Sequence, residues 1–320
     1  SVDIPYDKHL KYTLGNQKKH PTITLEGKKY FENLAKLSKE EAKQIVEKEK
    51  MDAAKDYIQS HFVHKDGSDA AVSAYKGNLA DCITASEFMG DFAEYDQEHD
   101  RYILRGCIAA QETLPAATTV NPPFELSQWH CALKIAQDWR VRLGKTREPR
   151  WDDILAKISP LASKDSLYLA AETEPDTYTK ERMFSDHPAV MGAIGLFPYN
   201  SRMIDFAKMK KTEQWIWKNW KWNTSWGWDY PMMAMGAARM GEPENAVGAL
   251  LMKQQKNTYL VSGHNYQDGR LRLYLPGNGG YLMAVAMMCA GWDGCSDVKN
   301  PGFPQDGTWN VRWEGLKKMQ

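Results

Sequence analysis

The chain has 320 residues, with 41 Lys and Arg set against 41 Asp and Glu, so its formal net charge is zero. That balance gives no electrostatic footprint for nucleic acid or for an anionic membrane surface. No apolar run approaches the ~18 residues that a membrane span needs, and the opening residues lack the apolar core of a signal peptide. The first residue is Ser, not Met, which is compatible with a removed leader or upstream segment, so the compartment stays open.

A short helix is expected over 28–37, and a capping box formed by Ser38 and Glu41 opens another. Ile45, Ala53, Tyr57 and Ile58 give that second helix an apolar stripe amid dense charge, which reads as a solvated face. Residues 70–95 are apolar at helical spacing. "RYILRGCIAA" then suits a strand or extended run into the stretch "QETLPAATTVNPP". Pro115, Pro122 and Pro123 bar a helix there. Helix resumes over 124–144, where Gly144 ends it, and again at "PRWDDILAKI". "DSLYLAAETEPDTYTKERMFSD" reads as irregular. "HPAVMGAIGLFP" reads as a short apolar helix with Asp186 as its N-cap. Helices follow over 202–221, 229–241, 243–254 and 279–292. The closing "GTWNVRWEGLKKM" alternates like a strand. The Met residues at 232, 233, 235, 283, 287 and 288 read as core. Helices apolar nearly all round suggest an inner layer inside an outer one. No linker divides the chain, so one all-α domain is expected.

Four stretches could carry chemistry. Gln111 and Glu112 stand at the lip of the Pro-stiffened loop. A glutamate held at a helical opening would be partly desolvated and suited to donate a proton. On the residues alone, a solvated loop glutamate is the simpler reading. Next, Trp222, Trp226 and Trp228 crowd a loop that enters a helix at Asp229, which could cap that helix and still face a cavity. With 12 Trp and 15 Tyr in the chain, buried aromatics are mostly core, but loop indoles beside a carboxylate suit a sugar ring. Third, the long loop "NTYLVSGHNYQDGRLRLYLPGNGG" offers His264, Asn265, Gln267 and Asn278 for hydroxyls, and its "PGNGG" would put flexible backbone at a helix N-terminus. Fourth, Asp186 and His187 resemble an acid/base pair, although neighbours on a helix diverge. Neither HExxH, CxxC nor GxSxG occurs, and five scattered cysteines give no disulfide framework. No metal and no cofactor is expected.

"SDHPAVMGAIGLFP", "TSWGWDYPMMAMGAARMGEPENAVGALLM", "KNTYLVSGHNYQ" and "LRLYLPGNGGYLMAVAMMCAGWDG" together resemble bacterial proteins of the six-hairpin glycosidase superfamily. These are relatives of the maltose-phosphorylase-like glycoside hydrolase family 65, with the family 95 α-L-fucosidases more distant. The likeness runs from about Ala85 to Gly315, and residues 1–80 show no match. It implies an (α/α)6 barrel and a carbohydrate substrate, and it favours a periplasmic or secreted setting. The order "AAQE", Asn121, "FELSQWHCALKIAQDWR" resembles the superfamily's general-acid segment and implies Glu112 as proton donor to the leaving glycosidic oxygen. The stretch that matches the usual base, "LPGNGGYLMAVAMM", has no carboxylate. Asp229, then Asp186, are therefore the candidates to activate water. Trp226 and Trp228 would stack on sugar; Gln111, His187, His264, Asn265, Gln267 and Asn278 would line the site. Glycoside hydrolysis is the activity implied, with a phosphorylase or a non-catalytic carbohydrate-binding protein as alternatives. The helices read here are fewer than six hairpins need, and the family's N-terminal β-sandwich is missing. Either residues 1–80 supply the rest of the ring, or the chain is part of a longer enzyme.

Overall fold

The structure is a computed structural model that describes Ser38, residues 85–197 and residues 203–319. The chain divides into two compact units, Ser1–Asp81 and Cys82–Gln320. The helices expected over 28–37 and over most of 70–95, and the one opened by Ser38, lie outside the described residues except at Ser38 itself and from 85 onward.

The second unit is mostly helical, as the all-α expectation requires. Helix α1 runs through 85–92, and a hairpin of β1 (Glu94–Asp96) and β2 (Arg101–Ile103) follows it. Then come α2 (Pro123–Arg142) and α3 (Pro149–Lys157), each with Pro in its first turn, where the missing N–H costs nothing. The turns after α3 hold the two-residue strands β3 (Ser163–Lys164) and β4 (Leu167–Tyr168). Next are the one-turn α4 (Gly192–Gly195), then α5 (Phe206–Asn219), α6 (Asp229–Arg239) and α7 (Pro243–Leu250). A small hairpin, β5 (Thr258–Tyr259) with β6 (Asn265–Tyr266), precedes α8 (Leu275–Ala290). Among the described residues no helix is long and apolar enough to cross a membrane.

Helix α6 is the hub. Every residue from Asp229 to Ala238 is buried, because α4, α7 and α8 all pack against it. Its sequence allows this: Met, Ala and Gly fill the positions where charge would normally meet water. Methionines 232, 233, 235, 287 and 288 are in the core as expected, and Met283 is only partly buried against it. The tightest contact is between α4 and α6. A Cβ on Gly195 would lie 2.5 Å from the Met232 carbonyl oxygen and 3.3 Å from the Gly236 nitrogen. Only a residue without a side chain allows the two backbones to approach so closely.

Three expected elements differ. Asp186 does not cap a helix: the N-cap of the 3-10 turn Ala189–Met191 is Pro188, and Asp186 has φ of 69°. Pro188 pushes the preceding residue to extended backbone and delays the helix. The "PGNGG" segment is not a flexible lead-in, because α8 begins at Leu275 and includes it. The C-terminal strand is not formed: residues 308–318 pair with no ladder, and Met319 makes one isolated bridge to Trp292. The alternation there has no partner strand to reward it.

Candidate active site

The opening loop is fixed residue by residue. The Ala110 N–H donates to Glu125 Oε1 at 2.6 Å. Gln111 is buried, and its amide donates to the Met183 carbonyl at 2.8 Å and the Thr113 hydroxyl at 3.0 Å. The Glu112 N–H donates to Asp186 Oδ2 at 2.5 Å. Three consecutive residues are therefore tied to two distant parts of the chain, the first turn of α2 and the stretch 183–186. Asn121, with φ of 53°, closes the loop: its side chain accepts the Leu104 N–H and donates to Glu172. The Gln111 side chain thus holds the loop in place, and it is too enclosed to meet a ligand. Glu112 itself is exposed, so the partial desolvation expected for it is not there.

Asp186 is held from several sides. Its N–H donates to Thr224 Oγ1 at 2.8 Å. Its carbonyl accepts from the Trp220 indole at 3.1 Å and the Ser225 hydroxyl at 3.2 Å. Its carboxylate, besides accepting the Glu112 N–H, lies 3.4 Å from His187 Nε2. The Asp186 and His187 side chains therefore lie side by side, because the left-handed Asp186 and the following Pro188 keep the pair out of a helix. Asp tolerates that backbone region better than most residues.

Behind His187 is Asp229, the first residue of α6 and wholly buried. Its two oxygens lie 2.8 and 3.0 Å from His187 Nδ1, and Oδ2 also accepts the Trp226 N–H at 2.7 Å. The result is a line of groups: Glu112, Asp186, His187, Asp229. Burial lowers the imidazole's proton affinity, but the hydrogen bond and charge of Asp229, with Asp186 and Glu112 adding to them, hold it above its ordinary value. The charged imidazole is favoured, and Asp229 fixes its orientation.

Aromatic rings surround this line. Trp228 lies 4.7 Å from the His187 ring and Trp226 lies 6.2 Å from it. Tyr274 packs 5.7 Å from Trp226. Its phenol is pushed up to about 12 by burial and by the charges of Asp229, Glu112 and Asp186, so it stays a donor at neutral pH. The Lys256 ammonium sits 4.1 Å over the Trp226 ring. One face of that indole is therefore spent inside the protein.

The structure brings together Glu112, Asp186, His187, Asp229, Trp226 and Trp228. It does not bring Asn265, Gln267, Asn278 or His264 to the same surface. Asn265 and Gln267 are wholly buried. Gln267 accepts the Gly227 N–H at 3.0 Å and donates to Asn265 and to the Lys256 carbonyl. Asn265 donates to the carbonyls of Lys256 and Thr258. Asn278 accepts the Asn265 N–H and donates to the Gly263 carbonyl. These amides lock the loop against Gly227, where a Cβ would lie 1.9 Å from the Asn265 side-chain oxygen. Their hydrogen bonds are used on backbone and on each other, not offered to hydroxyls. His264 stands exposed near the hairpin turn with Ser262 at 3.2 Å. Asp229 is too deep to touch a ligand, which removes it as a direct base.

Sequence reasoning missed Tyr274, Lys256 and Glu125. Glu125 carried a usable signal, an acid in the first turn of a Pro-led helix. No metal-binding group of three His, Cys, Asp or Glu residues is present among the described residues.

Fold and site define a helical protein with a carboxylate–imidazole centre at the mouth of its most buried helix. No family model matches the chain, and no curated protein matches it. Among solved structures, the chain is similar to one described as "Putative kojibiose phosphorylase from human microbiome", with a TM-score of 0.47 and 8% sequence identity. The match covers 66% of this chain and 33% of that one, so the chain spans about a third of that neighbour's length.

Proposed function

We propose that the second unit belongs to a helical ring of the six-hairpin type and that Glu112 and Asp186 form the acid–base pair of an enzyme acting on a glycosidic bond. The observation that carries this reading is the Asp186 carboxylate. It is bonded to the backbone of the lip residue Glu112 on one side and braced by the buried His187–Asp229 pair on the other. Glu112, exposed at the lip, is the group that can reach a leaving oxygen and protonate it. Asp186 accepts the proton of the attacking water. His187 and Asp229 are positioning residues: Asp229 orients the imidazole, and the imidazole braces the Asp186 carboxylate. Trp228 and Tyr274 would supply the apolar faces for a pyranose ring whose hydroxyls meet the carboxylates.

The test is turnover of aryl glycosides and of a disaccharide panel that includes kojibiose, in buffers with and without phosphate. Glu112→Gln and Asp186→Asn are each expected to lower turnover by about 10²–10⁴-fold, with sugar binding retained. Unchanged turnover in Glu112→Gln would eliminate it as the acid. Turnover only with phosphate present would make the protein a phosphorylase, and binding with no turnover on any substrate would leave a carbohydrate-binding protein.

A further inference from the structure

The segment after α8 forms neither helix nor strand from 293 to 318. Loops of that length without regular structure are uncommon, and those that are ordered usually serve a function. This one is cross-linked by its own side chains. The Gln305 amide donates to the carbonyls of Lys299, Asn300 and Phe303. Asn300, with φ of 54°, donates to the Val311 carbonyl and accepts the Trp313 indole N–H at 2.8 Å. Asp306 accepts both the N–H and the hydroxyl of Thr308 across Gly307.

These links hold two large apolar rings out in solvent. Trp309 and Trp313 are each 42% exposed. Trp309 rests on the buried Phe303 with ring centroids 5.6 Å apart. An indole free to move would fold down and bury itself, as apolar surface in water does. Here the Phe303 contact braces one side of the Trp309 ring, and part of the indole stays in solvent. Beside it is a groove of about 440 Å³, bounded by Lys299, Phe303, Gln305, Trp309 and Asn310. That is within the ~300–1,000 Å³ range of small-ligand sites. The Asn310 amide and the Lys299 ammonium are exposed and make no hydrogen bond among the described residues. A rigid flat ring with uncommitted donors at its edge fits a ligand with one apolar face and a rim of hydroxyls. The groove shares no lining residue with the Asp186–His187 site.

We propose that this groove is a second carbohydrate-binding site, in which a neutral pyranose stacks on Trp309 and hydrogen-bonds to Asn310 and Lys299. The choice of sugar as ligand rests on the function proposed above; the groove's geometry does not. The experiment follows the indole N–H resonances of the full chain during titration with maltohexaose, cellohexaose, xylohexaose and mannohexaose. The Trp309 resonance is expected to shift with at least one of them. That binding should weaken about tenfold or more in Trp309→Ala, and be intact in Asp186→Asn. Lys299→Ala, at an exposed position, is expected to weaken it less and guards against misfolding of the Trp309 variant. Shifts confined to Trp226 and Trp228 would overturn the groove proposal and leave the catalytic reading standing. Shifts confined to Trp309 would support the groove and count against the catalytic reading. No shift with any of the four sugars would overturn the groove as a carbohydrate site.

Discussion

Asp229 and Glu213 are both carboxylates with no exposed surface, yet their surroundings are opposite. Asp229 meets an imidazole and a backbone N–H. Glu213, on the buried face of α5, has no hydrogen-bond partner for either oxygen among the described residues. Its charged neighbours, Lys210 and Glu242, are paired with each other. Burial pushes the Glu213 carboxyl up to about 7, with the Glu242 charge adding and Lys210 opposing. Glu125 falls between them: one oxygen accepts the Ala110 N–H, the other has no partner among the described residues, and burial raises it to about 7. Depth alone therefore does not mark a working group. Burial raises the Asp229 carboxyl too, but the His187 ring and the Trp226 N–H oppose that rise, whereas no such donor opposes it at Glu213.

Removing the donors' target should have the largest effect. Asp229→Ala leaves the His187 imidazole without its anchor and the Trp226 N–H without its acceptor. Loss on the order of 3–5 kcal/mol in unfolding free energy is expected, measured by denaturant titration. Asp229→Asn keeps the shape but presents the wrong partner to His187 Nδ1. It should retain most of the fold and lose activity by about 10³–10⁴-fold, as comparable histidine–aspartate pairs do. If Asp229→Asn lowered stability but left activity unchanged, Asp229 would be no better placed than Glu213.

Glu213 should give the next largest effect, and one that depends on pH. Its folded-state value lies above its ordinary 4.5, so the folded protein retains a proton that the unfolded chain gives up. The associated stability is complete below about 4.5 and is lost as pH rises through about 7. At about 1.4 kcal/mol per unit this amounts to roughly 3 kcal/mol. Glu213→Gln cannot titrate, so its unfolding free energy should fall less between pH 5 and pH 8 than that of the parent chain. An identical slope in both would show that Glu213 finds a counter-charge.

The smallest effect is expected at Glu125, whose sign is the same and whose window coincides. Glu125→Gln still offers an oxygen to the Ala110 N–H, so the fold should lose only about 1 kcal/mol at pH 5. The informative reading is the Ala110 amide proton resonance. It should move with pH through neutrality in the parent chain and stay still in the variant.

The sequence showed the elements best where local chemistry was explicit. Pro149 and Pro243 marked helix starts, Pro123, read as barring a helix, instead opens α2 one residue early, and the apolar run at 229–241 pointed to the buried hub. It failed where the deciding partner was distant. The closing residues alternate, but no strand is available beside them. Asn265 and Gln267 look like ligand-binding amides until Gly227 is seen packed against them. The Asp186–His187 pairing was within reach of the sequence. Pro188 already excludes His187 from a helix, which removes the geometric objection to the pair. Nothing in the sequence could show that Asp229, 42 positions further on, lies against His187.

The spacing between Asp186 and Asp229 is gauged elsewhere, at the bare crossing of Gly195 over Met232 and Gly236. The stretch bearing Asp186 and His187 runs straight into α4, and Asp229 opens α6, so whatever wedges those two helices apart also pulls imidazole from carboxylate. A methyl group added at position 195 would touch no reacting atom. It would still detune the centre from a distance, and to anyone scanning variants by activity a silent glycine would pass for part of the chemistry.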